Sequence, residues 1–250
     1  MEVHHHPHTE RKKWSHYFWE FLMLFLAVFT GFMAENQREH MVEHKRAKEY
    51  AFNLYEELKK DTQSLAKIIT DNSEVVGKLD TFCLFSRDKT KYNVTNGMLY
   101  YYSSYATAIY NFTSNNTTIE QLKGSGNLRI MGNEVSQKIS EYGRRLHELE
   151  IEYLLSRSEF EKIEELNFKI FDGFIQTQLF NPSIRKQSRD TAYKINPPLI
   201  NNDTILMKEF IGWLKFEARI YFQQNENLLI PLKQSATELL TLLKKEYHFE

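Results

Sequence analysis

One stretch of this chain, residues 17–34 (YFWEFLMLFLAVFTGFMA), constrains its architecture more than any other. The stretch is nearly all apolar, and its single charged residue is Glu20. A run of this length is typical of a membrane-spanning helix, because only a helix satisfies its own backbone hydrogen bonds in hydrocarbon. We therefore predict a disordered polar tail over residues 1–13, a transmembrane anchor over residues 14–35 and a helical domain over residues 36–250.

The flanks of the anchor bear on cleavage and orientation. A cleaved signal peptide is the alternative to a retained anchor, but Phe32 occupies the place where cleavage near Ala34 needs a small residue. Three basic residues, 11–13, form a block before the anchor, and four more are spread over residues 38–48 after it. The compact block favours the tail inside and the domain outside, although the two sides nearly balance.

One face of the predicted anchor combines a carboxyl group with small residues. At 100° per residue, Ala27, Gly31 and Ala34 lie within about 40° of Glu20 around the helix. Small residues let helices approach closely in lipid, so this face is a candidate helix contact. For Glu20 two interpretations stay open: a buried proton- or partner-sensing carboxylate, or a side chain that reaches the interface to contact water.

The composition favours helices and excludes some classes of function. The 32 basic and 33 acidic residues are intermixed, which gives no electrostatic basis for a nucleic-acid partner. Glycine and proline are scarce, at 9 and 5 residues, which favours long helices over turn-rich β structure. The single cysteine, Cys83, excludes an internal disulfide and a cysteine-based zinc site.

Two long amphipathic segments predict the core of the domain. Between residues 40 and 82, mostly apolar side chains recur at alternating steps of four and three and form a stripe along the predicted helix. Asp61 and Asn72 are polar breaks in this stripe. This heptad seam is typical of a helix that packs on other helices. A similar seam over residues 133–179 predicts a second helix, antiparallel to the first. The expected fold is all-α, with one transmembrane helix continuing into an antiparallel bundle of about four long helices.

Several local signals place the shorter elements. Thr117 and Glu120 have the spacing of a capping box, which predicts a short helix beginning there. Residues 180–202 contain three prolines and predict a long polar connection. Asp203 is placed to cap a last helix, which Pro231 is expected to kink or divide.

Two groups of residues are candidates for chemistry or binding. The first is a tyrosine-rich segment, in which Tyr100, Tyr101, Tyr105 and Tyr110 could line a pocket or an interaction surface. Tyrosines also pack well in a core that has one solvent-exposed edge, and we favour this packing role over a pocket.

The second candidate is a histidine pair just after the anchor. His40, Glu43 and His44 have the letters of an H-x-x-E-H metalloprotease motif. Metal chemistry needs a third ligand and an enclosed pocket as well, and the sequence supplies neither beside this charge-rich segment. We therefore predict no metal and no cofactor.

Two stretches resemble a bacterial family of single-pass membrane proteins, frequent in Bacteroidota and known only as a domain of unknown function. The first is the anchor FWEFLMLFLAVFTGFMAEN. The second is the segment T-I-x-x-L-K-x-S-G-N-L-R-I over residues 118–130, followed by I-S-E-Y over residues 139–142. The resemblance implies an anchored helical domain in a bacterial inner membrane and no known activity.

Three functions follow as hypotheses. The leading one is a membrane-anchored helical scaffold that acts by protein contacts rather than catalysis, with the bilayer and a second copy or another membrane protein as partners. Its domain would be periplasmic. The alternative is an extracytoplasmic ligand-sensing domain that signals through a partner, since the chain has no second apolar run. The third is a metal-dependent hydrolase using His40, Glu43 and His44.

Overall fold

A computed structural model describes residues 14–179 and 185–249, and these residues are all-α. Helices account for 86% of them, and they contain no strand. The all-α class predicted from composition is therefore confirmed for the described part of the chain. The predicted tail, residues 1–13, lies outside the described residues.

The chain separates into two compact units, Met1–Tyr50 and Ala51–Glu250. The first helix contributes residues 14–50 to the first unit and 51–87 to the second. The α-helices of the described residues are Trp14–Arg87 (α1), Asn96–Ser103 (α2), Thr117–Gly124 (α3), Asn133–Leu155 (α4), Arg157–Ile170 (α5), Gly173–Leu179 (α6), Arg185–Ile195 (α7), Thr204–Gln224 (α8) and Ile230–Tyr247 (α9). Shorter helical turns are Ser104–Thr107, Asn127–Met131 and the π turn Asn225–Leu229.

The heptad seam predicted on α1 is buried throughout the second unit, apart from a partly exposed Ile68. Its apolar members pack inward, and so do the two polar breaks, Asp61 and Asn72. Asn72 donates to Asn225 Oδ1 at 3.2 Å, which pairs the α1 break with the π turn. The buried apolar seam residues are Ala51, Leu54, Leu58, Leu65, Val75, Leu79 and Phe82.

A non-helical return segment, residues 108–116, runs back along α1. Just before it, Tyr105 Oη donates to Glu74 at 3.2 Å. At its far end, Ser114 Oγ donates to Asp61, and Thr118 then donates to Glu57. Nine non-helical residues span up to about 30 Å, and α1 rises about 26 Å between residues 57 and 74. The return segment thus carries the chain back along α1 to the level of Glu57.

This return decides the direction of the next long helices. Tyr142 Oη in α4 donates to Asp61 at 2.7 Å, and further along the Phe171 ring lies 6.1 Å from the Phe82 ring. Contacts therefore advance in the same direction on both segments, so α4 and α5 run parallel to α1. The expected antiparallel pairing of these two segments is wrong, because the return segment brings the chain back before α4 begins.

The single helix predicted over residues 133–179 is also wrong, since the chain breaks twice. Ser156 is a turn residue between α4 and α5, and Phe171 adopts an extended conformation after α5. Asp172 then caps α6, because its carboxylate accepts from Phe174 N at 2.9 Å. Phe174, the last residue of the predicted seam, is consequently 72% exposed.

Helices α8 and α9 supply the antiparallel partner. Lys162 in α5 lies 3.8 Å from Glu209 in α8, while Lys138 in α4 lies 2.7 Å from Glu238 in α9. Residue numbers along α4–α5 therefore fall as those of their partners along α8–α9 rise, which means that the two segments are antiparallel. The predicted cap is confirmed, with Asp203 accepting from Ile205 N at 2.7 Å.

The predicted division of the last helix is confirmed as well. The π turn Asn225–Leu229 lies directly before α9, and Pro231 is the second residue of that helix. Proline has no backbone N–H and crowds the carbonyl four residues earlier, so the regular hydrogen-bond pattern gives way there.

Two shorter elements differ from expectation. The connection predicted over residues 180–202 contains helix α7, which packs on α2 so closely that a Cβ on Gly97 would lie 2.0 Å from Ala192 O. The predicted capping box does not form, since neither Thr117 nor Asn116 caps α3 with its side chain. Glu57 from α1 accepts from Thr118 N at 3.2 Å instead, so the cap comes from another helix.

Candidate functional site

The apolar run of residues 17–34 lies in the first unit, and its side chains are not covered by the described part of the chain. Among the described helices, α1 alone has an 18-residue window apolar enough to cross a membrane, with mean hydropathy 1.7 and no part of it buried. A surface this apolar is unusual on a protein surrounded by water. Large exposed side chains of the run are Tyr17, Phe18, Trp19, Phe21, Met23, Leu24, Phe25, Leu26, Val28, Phe29, Phe32 and Met33.

The small-residue face of the anchor is open in the described structure. Ala27, Gly31 and Ala34 are all exposed, and a Cβ placed on Gly31 would meet no atom within 4 Å. Glu20 Oε1 lies 3.2 Å from His16 Nε2, one turn towards the N-terminus. This contact is compatible with the interfacial interpretation of Glu20, and the helix-contact role of the face stays a prediction.

The tyrosine cluster (Tyr100, Tyr101 and Tyr105) belongs to the core of the second unit. Tyr100 and Tyr105 are 1% exposed and Tyr101 is 7% exposed. Tyr100 Oη donates to Pro198 O at 3.0 Å and accepts from Asp172 N at 3.0 Å, so it links α2 to two connecting segments. Burial raises the pKa of Tyr100, as expected for a phenol held away from water.

The other tyrosines of this cluster bond to each other. Tyr101 Oη lies 3.2 Å from Tyr105 Oη, and Lys78 Nζ lies 5.9 and 5.7 Å from the centroids of the two rings. Tyr110, in the return segment, is partly buried. The arrangement is a packed, hydrogen-bonded core with a cation at its edge, which is the favoured of the two interpretations.

The histidine pair lies on an exposed part of α1. His40 and His44 are both exposed, and the described residues contain no group of three or more histidine, cysteine, aspartate or glutamate side chains placed to hold a metal. A hydrolytic metal site needs three protein ligands and an enclosed position for water. Among the described residues, the surroundings of this pair offer neither.

The segment that carries the family resemblance forms a tight turn after α3. Gly126 has φ +69° and Gly132 has φ +79°, a conformation that glycine adopts without strain. The turn between them is held by Ser136 Oγ, which donates to Leu128 O at 2.6 Å. The positive φ angles of Gly126 and Gly132 therefore serve the change of chain direction between α3 and α4.

The structure adds one site that the sequence did not indicate, a groove of about 780 Å³ between the end of α1 and the first half of α8. Its wall is mixed, with apolar side chains, an excess of cations and several hydroxyl or amide groups. The groove is lined by Asp80, Cys83, Leu84, Ser86, Arg87, Lys89, Asn202, Thr204, Met207, Lys208, Ile211, Gly212 and Lys215.

Two lining residues define the chemistry of the groove. Lys215 Nζ lies 2.5 Å from Asp80 Oδ1, an ion pair that crosses from α8 to α1. The Cys83 thiol is buried, and this burial raises its pKa to about 11. A thiol whose pKa is raised by burial is mostly protonated at neutral pH, which lowers the reactivity of Cys83 as a nucleophile.

Comparison of the chain with family models, with curated proteins and with solved structures gives no match. The family resemblance of the anchor and of residues 118–130 therefore stays a prediction.

Proposed function

We propose that this protein is a single-pass membrane protein whose helical domain acts by contact with partners and not by catalysis. The observation that carries the proposal is the run of residues 17–34, an apolar helical surface that the described protein leaves uncovered. Lipid is the environment in which such a surface is stable. The bacterial inner membrane, with the domain in the periplasm, fits the family resemblance and the basic block over residues 11–13.

The second unit supports a role as a rigid interaction domain. In the proposed arrangement its long segments, α1 and α4–α5 in one direction and α8–α9 in the other, form an antiparallel helical bundle, and the burial of most of the α1 seam in this unit supports it. Several of its buried polar groups are bonded between distant segments, as with Asp61 and Tyr142. Such a domain holds its surface in one shape, which suits a scaffold.

The face formed by Ala27, Gly31 and Ala34 is the proposed contact in the membrane, with a second copy or another membrane protein. A photo-crosslinking residue placed at Gly31 tests this in native membranes. Phe29 lies on the opposite face, about 180° from Glu20, and serves as the matched control position. Protein adducts from position 31 and only lipid adducts from position 29 are expected. Lipid adducts alone from both positions would rule out the contact.

An alternative function, a ligand-sensing domain that signals through a partner, is favoured by one observation. The groove between α1 and α8 has the size of a ligand site, and its position differs from the tyrosine cluster considered from the sequence. Affinity purification from native membranes separates the two functions. A partner that stays bound irrespective of small molecules supports the scaffold, whereas a partner exchanged on ligand addition supports the sensor.

A further inference from the structure

The groove between α1 and α8 has a strong excess of positive charge. Arg87, Lys89, Lys208 and Lys215 line it, against a single carboxylate, Asp80. Only Lys215 is paired, and within the described residues the other three cations form no ion pair. Four cations and one anion leave a net charge of +3 on one concave surface, and a concave surface of one sign attracts counter-charge from solution.

Hydrogen-bond donors are available in the same wall. Ser86 Oγ is buried, and within the described part of the chain it has no hydrogen-bond partner. Asn202 and Thr204 line the groove where α8 begins. A buried hydroxyl without a partner costs free energy, which a bound acceptor would recover. Anionic oxygens are acceptors that suit both the donors and the cations.

The rest of the wall is apolar and includes a gap left by a glycine. Leu84, Met207 and Ile211 line the groove together with Gly212. A Cβ on Gly212 would meet no atom within 4 Å, so the missing side chain leaves open space. Glycine inside a helix lowers its stability relative to alanine, and no packing contact at Gly212 requires a glycine there.

We propose that this groove binds an organic monoanion with a carboxylate head and a flat or linear apolar body. The head lies among Arg87, Lys208 and the neighbouring donors, and the body lies on the surface of Ile211 and Gly212. A volume of about 780 Å³ falls within the range of small-molecule sites and exceeds what a bare inorganic anion needs. This binding is separate from the contact function of the anchor, and it is tested separately.

The test uses the full chain in phosphatidylcholine nanodiscs, with empty nanodiscs as the blank. The probe is 2-naphthoate, and its affinity is measured by titration calorimetry and by ligand-observed NMR. The neutral analogue 2-naphthamide tests the need for charge, and acetate tests the need for an apolar body. We expect saturable binding of 2-naphthoate, with both analogues binding about tenfold or more weakly.

Variants at Gly212 give the sharpest control. Gly212→Leu fills the gap and is expected to abolish binding, while Gly212→Ala adds only a Cβ and is expected to retain it. Both variants should fold at least as well as the wild type, because each removes a glycine from a helix. Lost binding in Gly212→Leu therefore reports the groove and not misfolding.

Charge variants complete the design. Arg87→Gln and Lys208→Gln are each expected to weaken 2-naphthoate binding about fivefold to tenfold, and Lys233→Gln on α9, away from the groove, to leave it unchanged. The proposal is overturned if 2-naphthoate fails to bind saturably, if 2-naphthamide binds equally well, or if Gly212→Leu binds like the wild type.

Discussion

Glu217 gives the most quantitative prediction of this structure. It lies on α8, only 6% exposed, and within the described residues it has no hydrogen bond or ion pair. Burial, with a smaller contribution from the charge of Glu159, raises the pKa of its carboxyl group from 4.5 to about 7. An ionised carboxylate without a partner is poorly solvated in such a position, which is why the protonated form is favoured.

The sign and size of the effect follow from linkage. Between pH 4.5 and 7 the folded protein keeps the Glu217 proton while the unfolded chain has lost it, so stability falls as pH rises. A tenfold change in an equilibrium constant corresponds to about 1.4 kcal/mol, so the rise of the pKa from 4.5 to about 7 costs about 3 kcal/mol of stability above pH 7. Below pH 4.5 both states are protonated, and this cost disappears.

The assay is urea unfolding of the full chain in detergent, followed by circular dichroism, from pH 4.5 to pH 8.5. We compare the wild type with Glu217→Gln, whose amide resembles the protonated acid. The variant should match the wild type near pH 4.5 and exceed it by about 3 kcal/mol at pH 8. Glu161→Gln, at an exposed position of α5, is the control and should show no such pH-dependent gain.

A stability difference between the wild type and Glu217→Gln that does not change with pH would refute this reasoning. It would mean that Glu217 is ionised in the folded protein throughout this range and is solvated by groups or water that the burial argument leaves out.

Three further predictions test the packing of the second unit. Gly97→Ala should destabilise the protein by about 2 kcal/mol, because the new Cβ meets a backbone carbonyl of α7. Gly77→Ala on α1 is the control: its Cβ meets no atom, and it should stabilise the protein by about 0.5–1 kcal/mol. Thermal unfolding measures both variants, and equal effects would contradict the close approach of α2 and α7. Asp61→Ala should lower the free energy of unfolding in urea by about 2–4 kcal/mol, since it leaves the buried Tyr142 hydroxyl without its acceptor. Gln63→Ala, at an exposed position of α1, is the control and should lower it little. Similar losses for the two variants would argue against a structural role for the Asp61 carboxylate. Iodoacetamide should alkylate Cys83 at pH 8 about 100-fold more slowly in the folded than in the unfolded chain, by mass spectrometry, and comparable rates would show that the thiol is accessible and ionises normally.

The seam of α1 was predictable because its signal is local and long. Leu54, Leu58 and Leu65 repeat at heptad spacing over many turns without proline, and each is buried. Even the polar breaks at Asp61 and Asn72 were correctly placed on the inward face, although the sequence could not show their partners in other segments.

The breaks in the second segment were missed because the apolar spacing continues across them. No local signal ends the helix at Ser156. After Phe171 the dipeptide Asp172-Gly173 is a turn signal, but the continuing apolar spacing outweighed it in the prediction. Phe171 leaves the helical conformation to pack on Phe82 and Phe210, with ring centroids 6.1 Å away in both cases. That contact joins residues far apart in sequence, so tertiary packing overrides the local pattern.

The groove between α1 and α8 was not predicted from the sequence for a related reason. Its cations come from the end of α1 and the residues just after it, and from α8, and more than a hundred residues separate the two groups, so the sequence does not show that they face one groove. Gly212 was the one local signal, since a glycine within an otherwise good helical pattern often has a packing or functional reason.

The central claim is that residues 17–34 remain part of the mature chain and cross a bilayer. Its most direct test is the intact mass of the protein that stays in native membranes after alkaline carbonate extraction. We predict that the protein is recovered in the membrane pellet with a mass that includes residues 17–34. Recovery in the soluble fraction, or a mass equal to that of a chain beginning at Glu35, would contradict this prediction.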